Sequence, residues 1–274
     1  MIERAALIVG AASGMGRATA RKLASRGISV TLADMNKDRV SDVANEIEST
    51  FGVRTASVGV DITREQEVKD MVEHATSLTG SLDYAANCAG ICESIWKEER
   101  SISTELFDQT YAVNARGLWL CQKYEAQKMQ TQEPKALELS PAPASPIKKQ
   151  RGSIANIASI SGLHAIGLAA YTPSKYAAVA ITKNGAKFYG PDGIRCNALC
   201  PGWTLTTMIE HSMGKEGTLG TEENKNSPVN DIVALGRMGF AEEQASVMSF
   251  LLSDESSYLN GALIVSDGGY HDIR

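Results

Sequence analysis

The 274-residue chain has no apolar run near the roughly 20 residues that a membrane-spanning helix requires, so no membrane association is expected. It also lacks an excess of basic charge. Its 27 Lys and Arg against 32 Asp and Glu leave a net charge of −5, which offers no footprint for nucleic acid or an anionic bilayer. The five cysteines are odd in number and no export signal precedes the first apolar run, so reduced thiols and a cytoplasmic location are expected. Only four histidines are present, and they are scattered. Cys88/Cys92 and Cys196/Cys200 therefore read as buried thiols rather than halves of a zinc site, and no metal is expected. Proline is scarce, and four of the eight fall within Thr131–Arg151. Proline and alanine at that density oppose both helix and sheet, which predicts an exposed, mobile insertion.

What the chain does have is alternation. Apolar content of 43% with 22% charge suits a buried sheet covered by amphipathic helices. Strands are predicted at Ala5–Val9, Ile28–Asp34, Val53–Val60, Ser81–Cys88, Ser153–Ala158, Ile194–Cys200 and Ala262–Val265. Helices are predicted at Arg17–Arg26, Arg64–Leu78, Ser103–Gln130, Ala170–Tyr189 and Glu242–Leu252. That order predicts an α/β fold with a Rossmann-type doubly wound parallel sheet of about seven strands and helices on both faces. Residues 1–274 are expected to form a single domain.

Two stretches near the N-terminus suggest what such a sheet binds. Gly10-Ala-Ala-Ser13-Gly14-Met15-Gly16 lies between the first strand and the first helix. There, backbone N–H groups and the positive helix end can hold a pyrophosphate. The spacing is G-x-x-x-G-x-G rather than G-x-G-x-x-G, and a glycine-rich turn without a ligand remains an alternative. The second strand ends in Asp34, whose carboxylate can accept hydrogen bonds from ribose hydroxyls and repel a 2′-phosphate. Met35, Asn36 and Ser13 offer no cation to such a phosphate, which favours NAD(H) over NADP(H). The competing reading of Asp34 is a solvated acid capping the next helix.

Tyr171-Thr-Pro-Ser-Lys175 places a phenol and an ammonium one helical turn apart. Free tyrosine ionises near pH 10, and bringing it to neutrality takes about 4 kcal/mol of preferential stabilisation of the phenolate. A neighbouring cation in a partly dry pocket is expected to supply this. Taken alone, the spacing also suits ordinary surface residues.

In order along the chain, Val9-Gly10…Gly14-Met15-Gly16, Asn87-Cys88-Ala89-Gly90, Asn114, Ser159, Tyr171/Lys175 and Pro201-Gly202 resemble the motifs of the short-chain dehydrogenase/reductase family. The likeness covers nearly the whole chain. Val9 stands where the family carries threonine, and Cys88 where it carries asparagine or alanine.

The resemblance implies an NAD(H)-dependent oxidoreductase interconverting a secondary alcohol and a ketone or aldehyde. Tyr171 would be the general acid/base, and Ser159 would bind the same substrate oxygen, with Ser161 a competitor for that role. Lys175 would tune the phenol and hold the ribose, and Asn114 would fix a water leading to solvent. Gly10, Ser13, Gly14, Met15, Gly16, Asp34, Met35, Asp61, Ile62, Asn87, Ala89, Gly90, Pro201, Gly202, Thr204 and Thr206 would bind the cofactor together with Tyr171 and Lys175. Substrate contacts are expected from Ser159, Tyr171, His164 and Trp203, with Trp96, Ile166 and His211 as further candidates. Trp203 reads equally as pocket wall or as packing. Residues 205–239 correspond to the family's mobile substrate lid, and the two long helices to its tetramer contacts, with a homodimer as the lesser assembly. The alternative function is a dinucleotide-binding sensor, or a non-redox step on a pathway intermediate.

Overall fold

Short β-branched runs, each followed by a helical period, fold as parallel strands with right-handed crossovers. The computed structural model describes residues 4–93, 99–212 and 226–271. Its first six strands are β1 (Ala5–Val9), β2 (Ser29–Asp34), β3 (Thr55–Gly59), β4 (Tyr84–Asn87), β5 (Gly152–Ile157) and β6 (Ile194–Pro201). Two short strands, β7 (Thr204–Leu205) and β8 (Gly239–Phe240), pair with each other in parallel. β9 (Leu263–Ser266) completes a seven-stranded, all-parallel sheet of order β3-β2-β1-β4-β5-β6-β9. Because both faces are covered, the central strands read as apolar runs rather than alternating patterns. Leu7 and Ile8 are both fully buried, on opposite faces of β1.

The helices divide between the faces. α1 (Gly14–Ala24), α2 (Lys37–Phe51) and the late α8 (Ala241–Leu252) share one core with the sheet. α3 (Glu65–Ser77), α5 (Leu118–Gln130) and α6 (Tyr171–Tyr189) cover the other face. The order reverses between β1 and β4, and that switch point opens a crevice at the carboxyl ends of the strands.

The stretch expected as one helix over 103–130 is three pieces. α4 (Thr104–Tyr111) passes through a π-helical turn at Ala112–Gly117 into α5. The turn widens at Asn114, and such turns concentrate at functional sites. α7 (Thr207–Ser212) begins the expected lid, whose base is clamped where Thr204 pairs with Gly239 and Leu205 with Phe240. Residues 213–225 of that segment lie outside the described residues.

The proline-rich insertion is fastened at its neck. Lys135 and Gln150 form an antiparallel bridge, Lys135 pairs with the buried Asp83, and the Glu138 N–H donates to Asp254. Between those anchors, residues 141–149 are exposed.

Candidate active site

The dinucleotide cleft is built largely from backbone. Gly10 sits at φ +81°, and a Cβ there would lie 2.6 Å from the Ala89 nitrogen, so β1 and the segment after β4 can approach only through glycine. A Cβ on Gly16 would collide with the Gly10 carbonyl. Ser13 occupies the N-cap of α1 with no side-chain hydrogen bond into the first turn. The donors of that turn are therefore left for another acceptor, as a phosphate site requires. The cleft spans about 970 Å³ with the open space at its mouth counted. Its walls include Gly10, Ser13, Gly14, Met15, Gly16, Asp34, Met35, Asp61, Ile62, Ala89, Gly90 and Thr206.

Asp34 Oδ2 accepts from the Ala12 N–H at 3.0 Å and Oδ1 from the Asn36 N–H at 3.0 Å. This orients the carboxylate and leaves a lone pair on each oxygen. Asn36, rather than Asp34, caps α2 by accepting from the Arg39 N–H. Asp61 is occupied locally by Thr63.

Asn87 does not line the cleft with its side chain, contrary to the sequence expectation. Its amide donates to Glu125 at 2.9 Å and to Asn156 at 3.0 Å. Asn156 in turn donates to Gln122 and Thr182. A polar group buried at the end of β4 must find partners, and these lie beneath the sheet. Burial pushes the Glu125 carboxyl up to about 7, partly opposed by the Asn87 hydrogen bond.

Asn114, Ser159, Tyr171 and Lys175 converge beside the cleft: Asn114 and Lys175 approach Gly90 in its wall, and Ser159 and Tyr171 line a neighbouring pocket. Asn114 Oδ1 accepts from the Ile91 N–H at 2.8 Å, while its amide donates to the Ile91 carbonyl at 2.8 Å and to Ser174 Oγ at 3.0 Å. Both amide hydrogens are thus used, and one lone pair remains on Oδ1 for a water. Ser159 is hydrogen-bonded to the Tyr171 phenol and is itself steadied by the Ser161 N–H at 3.1 Å. That contact with the phenol favours Ser159 over Ser161.

Lys175 is buried, donates to the Ile157 carbonyl at 3.0 Å, and lies 5.4 Å from the centre of the Tyr171 ring. It stands over the ring rather than at the hydroxyl. The expectation that this cation lowers the phenol pKa is therefore corrected for the protein alone. Burial pushes Tyr171 well above its ordinary range, Cys92 and Glu93 push the same way, and only the Ser159 hydrogen bond opposes them. Burial also lowers Lys175 to about 8, partly opposed by the thiols of Cys92, Cys200 and Cys88.

A second, apolar pocket, spanning about 610 Å³ with the open space at its mouth counted, adjoins this point. Ser159, Ile166, Tyr171 and Trp203 line it as expected, and so do Pro201, Gly202 and Thr204, which were assigned to the cofactor. Met15, Thr206 and Met208 line both cavities and mark the seam between them. Trp203 both walls the pocket and packs edge-on against Tyr270, 6.4 Å away.

His164 does not line the pocket. Its ring instead lies tilted against His271, with centroids 4.1 Å apart, and stacks on Tyr270 at 6.1 Å, because Tyr270 and His271 after β9 lie across that side. His211 is on the exposed side of α7, and Trp96 lies outside the described residues. Sequence reasoning missed Cys92, Leu168, Met208 and Ile209 in the wall, and the buried Glu93 beside Tyr171. All of these lie on connections or short lid elements, where no periodicity or spacing marks them.

A family model described as Enoyl-(Acyl carrier protein) reductase matches residues 10–271. The short-chain dehydrogenase srdC of Neurospora crassa is 35% identical over 269 residues, covering 96% of this chain and 95% of that protein. A 2,5-dichloro-2,5-cyclohexadiene-1,4-diol dehydrogenase of Sphingobium indicum is 31% identical, covering 97% and 96%. Among solved structures, levodione reductase superposes with a TM-score of 0.85 at 30% identity, covering 99% of this chain and 98% of that one. The chain therefore belongs to the short-chain dehydrogenase/reductase family, whose members bind nicotinamide dinucleotides and carry out alcohol–carbonyl redox chemistry.

Proposed function

We propose that this protein is an NAD(H)-dependent oxidoreductase that interconverts a small, uncharged, apolar secondary alcohol and its ketone or aldehyde, with Tyr171 as general acid/base. The observation that carries the reading is the seam. The Ser159 and Tyr171 hydroxyls stand together on the wall of an apolar pocket that shares Met15 and Thr206 with the dinucleotide cleft. No charged side chain lines that pocket among the described residues. A carboxylate or phosphate substrate would thus be desolvated there without a partner.

The glycine turn and the α1 N-terminus would hold the pyrophosphate, Asp34 the adenosine ribose, and Asp61 and Ile62 the neighbourhood of the adenine. The bound nicotinamide would exchange hydride with the substrate carbon. Tyr171 gives or takes the proton at the substrate oxygen, and Ser159 hydrogen-bonds that oxygen as charge develops. Lys175, at about 8, exchanges protons readily near neutrality, and Asn114 Oδ1 beside it can hold the water that links it to solvent. With the oxidised cofactor bound, the positive charge it brings beside Tyr171 would favour the phenolate, which in the protein alone only the Ser159 hydrogen bond does.

Asp34 supports NAD(H) over NADP(H), since among the described residues no side-chain cation lines the cleft beside it to meet a 2′-phosphate. Thr207–Ser212 and the segment up to Gly239 would act as the substrate lid. Exposed Trp119 on α5 and Tyr176 and Phe188 on α6 support a homotetramer built on these helices. The relative acting on a dichlorocyclohexadienediol points to ring alcohols as the first compounds to try.

The test is NADH oxidation, or NAD reduction, with a panel of ring ketones and secondary alcohols, followed by absorbance. Turnover of neutral substrates but not of carboxylated analogues is expected. Preference for the charged analogues, or for NADPH, would overturn the corresponding part of the reading.

A further inference from the structure

α6 begins at the residue on which the proposed chemistry depends, and it begins without a local cap. Its N-cap position is Ala170, which has no side-chain acceptor to offer, and no acidic residue lies in its first turn. The first N–H groups of a helix need acceptors, and buried ones need them most. Here the acceptor comes from 77 residues away in sequence. Glu93, buried at 4% exposure after β4, accepts from the Ala170 N–H through Oε1 at 2.9 Å. It also accepts from the Tyr171 N–H through Oε1 at 3.2 Å and Oε2 at 3.0 Å.

Two residues earlier, the Ile91 backbone is clamped by the Asn114 amide. That amide reaches Ser174, whose hydroxyl donates to the Tyr171 carbonyl at 2.7 Å. The segment after β4 therefore grips the first turn of α6 at both sides. Glu93 seats the backbone of Tyr171, and the Ile91–Asn114–Ser174 chain braces the turn behind it.

We propose that Glu93 is a positioning residue for the reaction, a long-range carboxylate cap that fixes the first turn of α6 and thereby the Tyr171 phenol. This rests on the redox reading above and adds to it a residue that none of the recognised motifs contains. The cap has an electrostatic side. The groups acting on the phenol are Cys92 and Glu93 from the segment after β4 and Ser159 from the end of β5, while Lys175 lies over the ring one turn along. α7 contributes Ser212, which is hydrogen-bonded to the Cys92 thiol. Burial pushes that thiol up to about 12. Cys92 and Glu93 both push the phenol toward its protonated, donor-ready form, and the Ser159 hydrogen bond opposes them.

The test uses Glu93→Ala, Glu93→Gln and Glu93→Asp in the full chain, with melting temperature and NADH affinity measured alongside. Backbone amide exchange at Ala170 and Tyr171, read by mass spectrometry or NMR, needs no substrate. Glu93→Ala is expected to accelerate it at least about tenfold, with distant β1 amides unaffected. Its kcat is expected to fall on the order of 100-fold, with KM changed less than about threefold. Glu93→Gln removes the charge while keeping most of the shape, so its pH profile for alcohol oxidation is expected to move down by about one pH unit. Glu93→Asp is expected to keep the wild-type profile.

Unchanged amide protection in Glu93→Ala would overturn the proposal regardless of activity. Lost protection with wild-type kcat and an unmoved Glu93→Gln profile would reduce Glu93 to a structural cap and overturn it equally. Wild-type protein inactive across the whole panel would instead sink the redox reading, and with it the purpose assigned to the cap.

Discussion

The two cavities that meet at Met15, Thr206 and Met208 are made of different material. The dinucleotide cleft is backbone: Gly10 and Gly16 allow main chain to touch main chain, and the α1 N-terminus presents its donors. The proposed substrate pocket is side chain: Ile166, Leu168, Trp203 and Ile209 reach in from separate segments. A cleft made of backbone tolerates little change, because a misplaced main chain has no rotamer with which to adjust. A pocket made of side chains can be reshaped one residue at a time. That division lets one scaffold keep its cofactor while its substrate varies.

Breaking the backbone side is expected to give the largest effect. Gly10→Val places a Cβ against Ala89 at a positive φ, and should cost about 3 kcal/mol or more of stability and abolish NADH binding, as thermal unfolding and fluorescence titration would read. Beneath the cleft, the buried Glu125 sharpens the contrast through pH. Its carboxyl is raised to about 7 in the folded protein from 4.5. The folded state therefore binds the proton more tightly, and stability is lost as pH rises from 4.5 through 7. Glu125→Gln should remove that slope, gaining on the order of 2–3 kcal/mol relative to wild type at pH 8 compared with pH 5, measured by denaturant titration.

Asp34→Ala should weaken NADH by about tenfold and narrow its advantage over NADPH, leaving the substrate pocket intact. On the side-chain half, Trp203→Ala should raise KM for a ring ketone about tenfold while the dissociation constant for NADH stays put. If Trp203→Ala instead disrupted cofactor binding, the two cavities would not be separable in this way. The smallest effect is expected at the exposed insertion tip. Ser145→Ala should move stability by less than about 0.5 kcal/mol and activity not at all.

The same division explains what could be read from the sequence. Strand runs such as Ser29–Asp34, the glycine turn and the Tyr171/Lys175 pair declare themselves through periodicity and fixed spacing, and the sheet order follows from their alternation. Asn114 could be placed on a helix, but not on the π turn that aims it, because a single extra residue per turn leaves no compositional mark. Asn87 carries the right motif yet turns its side chain inward, since Glu125 and Asn156 compete for it from 38 and 69 residues away. His164 went astray because Tyr270 and His271 arrive beside it only after the last strand is laid down. Glu93 was invisible for a related reason, since its partners are the backbone of a helix 77 residues later. The direction of the Tyr171 shift also lay beyond the sequence. Spacing puts a lysine one turn away, but only the packing shows its Nζ held by the Ile157 carbonyl.

The central claim is that the Tyr171 hydroxyl exchanges the proton with substrate at the seam of the two cavities. Turnover and NADH affinity measured together on Tyr171→Phe test it most directly. Turnover at least about 100-fold lower, with NADH affinity within about twofold of wild type, is the predicted result. A Tyr171→Phe variant that turned over at the wild-type rate would contradict it.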